Sequence, residues 1–491
     1  MARSHYDLLV VGGGINGAAV AHIAQKSGLK TALIDKGDFA SGTSSKSTKL
    51  IHGGIRYLEN MEFGLVKESL KERYIQLRSA PFLVKSLAFV IPVYKGDRRP
   101  LWMMRLGVFL YDFLAGKLSV QHHEELNVHE IVRLIPGIKH EGLEGGVLYY
   151  DAQMDDARLC LENILAAAEV GADVANYIDV VSFIKQNGKV AGVKCHDLIK
   201  HALFEIRAEK IICAVGPWTN RLLKLDDPNV PDKVRTTKGI HLVYRGRISD
   251  RALLLPTQKD KRIFFMIPWM KNTLIGTTDT DYEGDPDQVT VEESDIEYLF
   301  EGARRVFPNR EFRKQDIVTS FAGLRPLVRK WGRPSDVSRK HVIFQSKSGI
   351  TFVIGGKYTT YRKIARDCVK KATGRILRAP FRLYGKAVTE IEPAQVAKEY
   401  GIELETAKAL ISKYGSKYVD VLAFTKRDPS LKEKFCNCNP FIKAQIVYSL
   451  TVEMAQTADD ILARRLSISY FPCESNQCKR VVQQLVQTYR R

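Results

Sequence analysis

The sequence predicts an α/β fold in three parts: a parallel β-α-β start, an antiparallel sheet and an α-helical end. Three stretches predict it. Residues 6–35 read YDLLVVGGGINGAAVAHIAQKSGLKTALID. His241 to Thr278 places alternating apolar residues (HLVYRGR, IFFMIPW, TLIGTT) between Gly, Pro, Lys and Asp, the pattern of antiparallel strands and turns. From about Val388 the apolar spacing becomes helical, as in KEYGIELETAKALISKYG and AQIVYSLTVEMAQTADDILARR.

The first stretch is the most informative. Tyr6 to Val11 suits one buried strand, Ala18 to Gln25 a helix, and Lys30 to Ile34 a second strand ending at Asp35. Between them Gly12, Gly14 and Gly17 form G-x-G-x-x-G. Gly12 permits a tight turn, Gly14 lets the backbone approach a pyrophosphate, and Gly17 lets helix and strand pack closely. The helix N-terminus offers free N–H groups and the positive end of its dipole. Asp35 stands where a carboxylate accepts from ribose hydroxyls. Strand, loop, helix, strand and acid in that order indicate a dinucleotide site.

At 491 residues the chain can bury a large core and form more than one domain. Its formal charge of +20 suits anionic partners, although a lysine-rich surface would give the same count. MARSHYD leads straight into the first strand, and no stretch reaches the roughly 18 apolar residues of a membrane span. A cytoplasmic location is expected. The eight cysteines do not form a disulfide framework. Cys160, Cys195, Cys213 and Cys368 read as buried thiols. The C-x-C of Cys436 and Cys438 and the C-x4-C of Cys473 and Cys478 match structural zinc pairs poorly, so no metal is expected.

After Asp35 comes KGDFASGTSSKSTKLIHGGIRYLE. Ser41, Thr43, Ser44, Ser45, Ser47 and Thr48 are too many hydroxyls for a core. A polar surface loop has this composition, but its place directly after the second strand favours cofactor contact. His52, Arg56 and Tyr57 lie at its end.

GGGINGAA and DFASGTSSKSTKLIHGGIRYLE resemble the FAD-dependent glycerol-3-phosphate dehydrogenase family. So do YYDAQMDDARL, AVGPWTN, KGIHLV, IGTTDTDYEGDP, AGLRPL, GGKYTTYRKIA and EMAQTADDILARR, in order along nearly the whole chain. Phe82 departs from the family's usual His in an A-P-H-L string. The resemblance implies a Rossmann-like FAD-binding domain interleaved with an antiparallel-sheet substrate domain of the glycine/D-amino-acid oxidase kind. Together these occupy 1–385, with FAD segments at about 1–60, 145–220 and 345–375. An α-helical C-terminal domain follows at 386–491. It also implies oxidation of sn-glycerol 3-phosphate to dihydroxyacetone phosphate, with electrons passed to membrane quinone. The related oxidase, which gives them to oxygen and releases peroxide, is the alternative. Cofactor contacts carried onto this sequence are Gly12, Gly14, Asn16, Gly17, Asp35, Lys36, Thr43, Ser44, Ser45, Lys49, His52, Gly216, Trp218, Gly356, Lys357 and Thr359.

A phosphorylated polyol needs cations, and Arg grips phosphate in bidentate fashion. Arg56, Arg325 and Lys357 each stand beside a glycine-rich turn and are the substrate-binding candidates, with Tyr57 as hydroxyl donor. His241 in KGIH is the candidate general base, because imidazole titrates near neutrality. Arg325 and Lys357 could share the catalytic role.

Glu62 to Arg78 reads as a helix stopped by Pro81, and Asn187-Gly188 as a hairpin turn. RRPLWMMRLGVFLYDFLAGK, from Arg98 to Lys117, suits either a packing helix or a basic aromatic helix at a lipid interface. The family's membrane habit favours the second. The expected partners are therefore glycerol 3-phosphate, quinone and an anionic membrane surface on the inner face of the cell membrane. A homodimer is the assembly to test. A nucleic-acid-binding flavoprotein is the reading from another class, but RNA-binding motifs are missing from the sequence.

Overall fold

The computed structural model describes residues 1, 5–257, 260, 262–329, 340–376, 381–386, 390–473 and 476–489. His5–Val11 lies inside an eight-stranded sheet. It pairs in parallel with Thr31–Ile34 on one side and Ala202–Cys213 on the other. Asp173–Ala175 and Thr351–Ile354 extend the parallel run outward. Strands covered on both faces need no polar alternation, and all of Thr31–Ile34 is buried. The Asn187-Gly188 turn forms as the sequence predicts. Gln186 pairs with Lys189, and the two turn residues take φ of 52° and 72°, as a type I′ hairpin requires.

The second sheet has ten strands and is mainly antiparallel. Val234–Tyr244 pairs along its length with Ile317–Val328. Leu143–Met154 also belongs here, paired with Val84–Tyr94. The chain therefore returns to the first sheet only through the helix Asp156–Glu169, not from about 145 as expected. Tyr149 and Asp151, two residues apart on one face of this strand, line the cleft described below.

The helix Phe63–Ser79 ends before Pro81, and Leu101–Ala115 starts directly after Pro100. The latter buries Val108, Tyr111 and Ala115, yet leaves Trp102 63 % and Phe113 73 % exposed. Among the described residues no helix is long and apolar enough to cross a membrane.

Val388 lies outside the described residues. Beyond it the chain forms helices from Pro393–Tyr400 to Gln477–Tyr489 around their own apolar core. A seam of buried charge ties this region to the first sheet. Arg465 donates to both oxygens of Asp38 at 2.7 and 2.8 Å, and Arg464 donates to Asp38 at 2.6 Å. Arg158, fully buried, is held between Glu162 and Glu453. The EMAQTADDILARR string thus supplies the seam's Glu453, Arg464 and Arg465.

Candidate active site

One cleft of about 1790 Å³ runs from the glycine turn of the first sheet to the face of the second. Pockets for single small molecules usually span about 300–1,000 Å³, so this one has room for a dinucleotide and a small substrate together.

At the first sheet, Gly12 has φ of +106° and a side chain there would meet the Ala214 carbonyl at 2.7 Å. Only glycine fits. Gly14 and Asn16 line the cleft at the start of the helix Ile15–Lys26. Asn16 Oδ1 is buried without a hydrogen-bond partner among the described residues. Asp35, at the end of the second strand, accepts from Gly13 N at 2.6 Å and from Gly37 N at 2.8 Å. Desolvation lifts its carboxyl to about 6 against the pull of those N–H groups. Lys36 lies over Trp218 at 4.4 Å, and both bind Asp287. Thr43 donates to the Leu324 carbonyl at 2.7 Å, joining the hydroxyl loop to the second sheet. Gly216, Gly356 and Thr359 line the same space. Thr359 Oγ1 accepts from His52 N at 3.1 Å. Burial, then the Lys357 ammonium, holds the His52 imidazole down at about 4.

At the second sheet, Thr237 pairs with Arg325, Gly239 with Gly323 and His241 with Phe321. Alternation puts these six on one face of the sheet. The glycines let neighbours press on the strands: Lys46 occupies the space at Gly323 and Arg325 that at Gly239. A side chain at Gly239 would meet the Arg325 guanidinium, so Arg325 lies flat across that residue. Arg325 donates to Asp279 at 3.1 Å and to Thr277 Oγ1 at 2.9 Å. His241 stacks on Phe321 at 5.0 Å, and its Nε2 is 2.9 Å from Thr48 Oγ1. Burial, then the charges of Arg325 and Lys49, holds His241 well below its ordinary pKa, so the ring stays neutral. Lys357 donates to Ser69 Oγ at 2.9 Å and lies 3.8 Å over the Tyr57 ring. Arg56 is exposed on the cleft wall.

Three expected cofactor contacts have other jobs. Gly17 lies off the cleft lining, where a side chain would strike the Gly12 carbonyl; its role is helix–strand packing. Lys49 is 1 % exposed, paired with Asp156 at 2.5 Å and with the Ser45 carbonyl at 2.8 Å. It and Ser45 therefore face inward, not toward the cleft. Ser44 lines the cleft, and its Oγ accepts from Ile15 N at 2.9 Å. Sequence reasoning missed Lys46, Arg262 and Asp279 on the cleft wall. Desolvation, then Lys49, pulls the Lys46 ammonium down to about 8. Arg262 donates to the Asp279 carbonyl. Its signal was a place in the basic run KDKR at the head of the IFFMIPW strand.

Comparison with known proteins places this architecture. The family model described as FAD dependent oxidoreductase matches residues 7–362. The model described as the C-terminal domain of alpha-glycerophosphate oxidase matches 379–490. A glycerol-3-phosphate dehydrogenase of Synechocystis sp. is 37 % identical, with 94 % of this chain and 89 % of that protein covered. The crystal structure of the Bacillus halodurans glycerol-3-phosphate dehydrogenase complexed with FAD superposes with a TM-score of 0.80 at 29 % identity. That match covers 100 % of this chain and 95 % of the other. Glycine oxidase from Geobacillus kaustophilus shares the fold alone, at a TM-score of 0.58 and 18 % identity over 79 % of this chain and all of that one.

Proposed function

Since the chain belongs to the FAD-dependent glycerol-3-phosphate dehydrogenase family, we propose how its cleft oxidises sn-glycerol 3-phosphate to dihydroxyacetone phosphate. The glycine turn fits FAD: Gly12 admits no side chain, Gly14 leads into the N-terminus of the helix, and Asn16 Oδ1 is buried without a partner among the described residues. Gly12, Gly14, Asn16, Asp35, Thr43, Ser44, Gly216, Trp218, Gly356 and Thr359 would hold it. When bound, FAD supplies the hydride acceptor, the difficult part of the chemistry.

The chain's residues do the rest. Arg325, Arg56 and Lys357 bind the phosphate, with Tyr57 beside them. His241 takes the hydroxyl proton as hydride leaves the adjacent carbon. A neutral imidazole is the form that accepts a proton, and its low pKa keeps it in that form at neutral pH. The observation that carries this reading is the alignment of His241, Gly239 and Arg325 on one face of paired strands in the cleft. Base and phosphate clamp then lie near each other on one wall of the cleft. The test compares glycerol 3-phosphate with free glycerol. The phosphate ester should be the far better substrate, and Arg325→Ala should erase most of that preference. An unchanged preference would move the phosphate elsewhere.

For the acceptor, the reading is quinone at the cytoplasmic face of a membrane. Trp102, Leu106, Phe109 and Phe113 follow helical spacing and are 49–73 % exposed, opposite the buried Val108, Tyr111 and Ala115. An apolar stripe on a basic protein suits peripheral, reversible docking. Arg99, in the basic stretch just before this helix, is held by Glu59. The chain should bind anionic vesicles, loosen partly in salt and need detergent for full release. Replacing Trp102, Leu106 and Phe109 with polar residues should weaken binding and leave FAD in place. Peroxide release in buffer at the full turnover rate would favour oxygen instead.

A further inference from the structure

Four of the eight cysteines converge in the C-terminal region, although their spacing along the chain gave no such sign. Cys436 and Cys438 precede the helix Lys443–Thr451. Cys473 lies just before the last helix, Gln477–Tyr489, and Cys478 within its first turn. Their four sulfurs all lie within 4.8 Å of one another. The other four cysteines are buried thiols outside this cluster.

A disulfide joins Cys436 to Cys478. It employs two sulfurs and gives no reason for the others to press on it. Cys438 Sγ lies 3.1 Å from Cys436 and 3.2 Å from Cys478. Cys473 Sγ lies 3.6 Å from Cys436 and 3.5 Å from Cys478. A tetrahedral ion with metal–sulfur bonds of about 2.3 Å sets its ligands about 3.8 Å apart, which the Cys473 distances approach and the other pairs reach once the Cys436–Cys478 bond is opened. Asn439 supplies an independent sign. Its Oδ1 accepts from Phe441 N at 3.0 Å, which fixes which way the amide points. Its Nδ2 then donates to both Cys438 and Cys478 at 3.3 Å. An oriented N–H donor shared by two sulfurs is a support for thiolates, the form that binds metal.

The geometry points to a tetrathiolate metal centre at Cys436, Cys438, Cys473 and Cys478. It takes a soft transition metal, as one zinc-type ion or as an iron–sulfur cluster, the two groups that four thiolates select. Two equivalents of a small thiol first reduce the Cys436–Cys478 disulfide and leave as their own disulfide, and each of the four thiols then gives up its proton as it binds. The spacing rule failed because it judges each pair alone, while the fold joins two pairs from separate segments. The centre staples the last helix, which buries Cys478, Val482 and Val486, to the loop around Phe435.

The test is metal analysis of the full-length FAD-loaded protein, purified with thiol reductant and without chelator. Zinc equal to the chain concentration, or iron matched by acid-labile sulfide, supports the centre and identifies its occupant. Cys438→Ser and Cys473→Ser should lose the metal and keep FAD, and Asn439→Ala should weaken metal affinity by about 10–100-fold. Should a cysteine variant fail to fold, chelator treatment of the wild type gives the same answer, because it should expose these four thiols together to alkylation. Full FAD with neither metal, or a persisting Cys436–Cys478 disulfide beside two freely alkylated thiols, overturns the proposal.

Discussion

Arg158 and Arg325 carry the same guanidinium in opposite settings. Arg158 is fully buried and closed in by two carboxylates, Glu162 and Glu453. Arg325 is 25 % exposed, pairs with Asp279, and opens on the cleft. Asp38 repeats the first pattern, clasped by Arg464 and Arg465. Charge taken fully out of water must be matched on the spot, since an unpaired buried ion costs several kcal/mol. The seam's charges are spent on one another and hold two regions together. The cleft's charges open on its space, which is what an anionic substrate needs.

The largest expected effect tests the seam. Asp38→Ala leaves Arg464 and Arg465 buried without that partner, and should cost about 3–5 kcal/mol in denaturant unfolding. A loss below about 1 kcal/mol would mean that the seam is hydrated and the contrast with the cleft is weaker than drawn.

Next comes pH. His22 is 1 % exposed, and burial followed by the charge of Lys26 lowers its pKa from 6.5 to about 4. The unfolded chain therefore binds a proton that the native chain refuses between those values. Stability should fall as pH drops from 6.5 toward 4, by up to about 3 kcal/mol from this group. His22→Gln should flatten that part of the profile; an identical slope would assign it to other groups.

The smallest effect on the fold should come from the cleft. Arg325→Ala should lower kcat/KM for glycerol 3-phosphate by about 10- to 150-fold, the value of a charge-assisted contact worth about 1.5–3 kcal/mol. Its unfolding free energy should change by less than about 1 kcal/mol. A stability loss as large as that of Asp38→Ala would make Arg325 a structural cation, and the comparison would fail.

Local chemistry made much of this legible. The glycine turn, the Asn187-Gly188 hairpin and the stop before Pro81 depend on few neighbouring residues, so their sequence states them. The cleft's cations were legible because Arg56 and Lys357 each follow a glycine-rich bend, while Arg325, expected beside such a turn, lies inside the strand Ile317–Val328. Lys49 and Ser45 were misread because composition marks the hydroxyl loop as polar without saying which side chains turn inward. The partner that turns Lys49, Asp156, stands 107 residues away. Arg262 was missed for the same reason, since Asp279 meets it only through the fold. The seam lay hidden in EMAQTADDILARR, a string whose charges look solvated until Asp38 and Arg158 are placed against them.

The most direct measurement is an anaerobic titration of the FAD-loaded protein with sn-glycerol 3-phosphate, followed by flavin absorbance. Binding of phosphate by the cleft's cations and oxidation beside His241 predict bleaching that saturates at one substrate per flavin. Free glycerol should leave the spectrum unchanged at the same concentrations, and Arg325→Ala should bleach only at much higher substrate. A flavin that stays oxidised with saturating glycerol 3-phosphate, in protein that is folded and fully loaded, would contradict the assignment of this cleft.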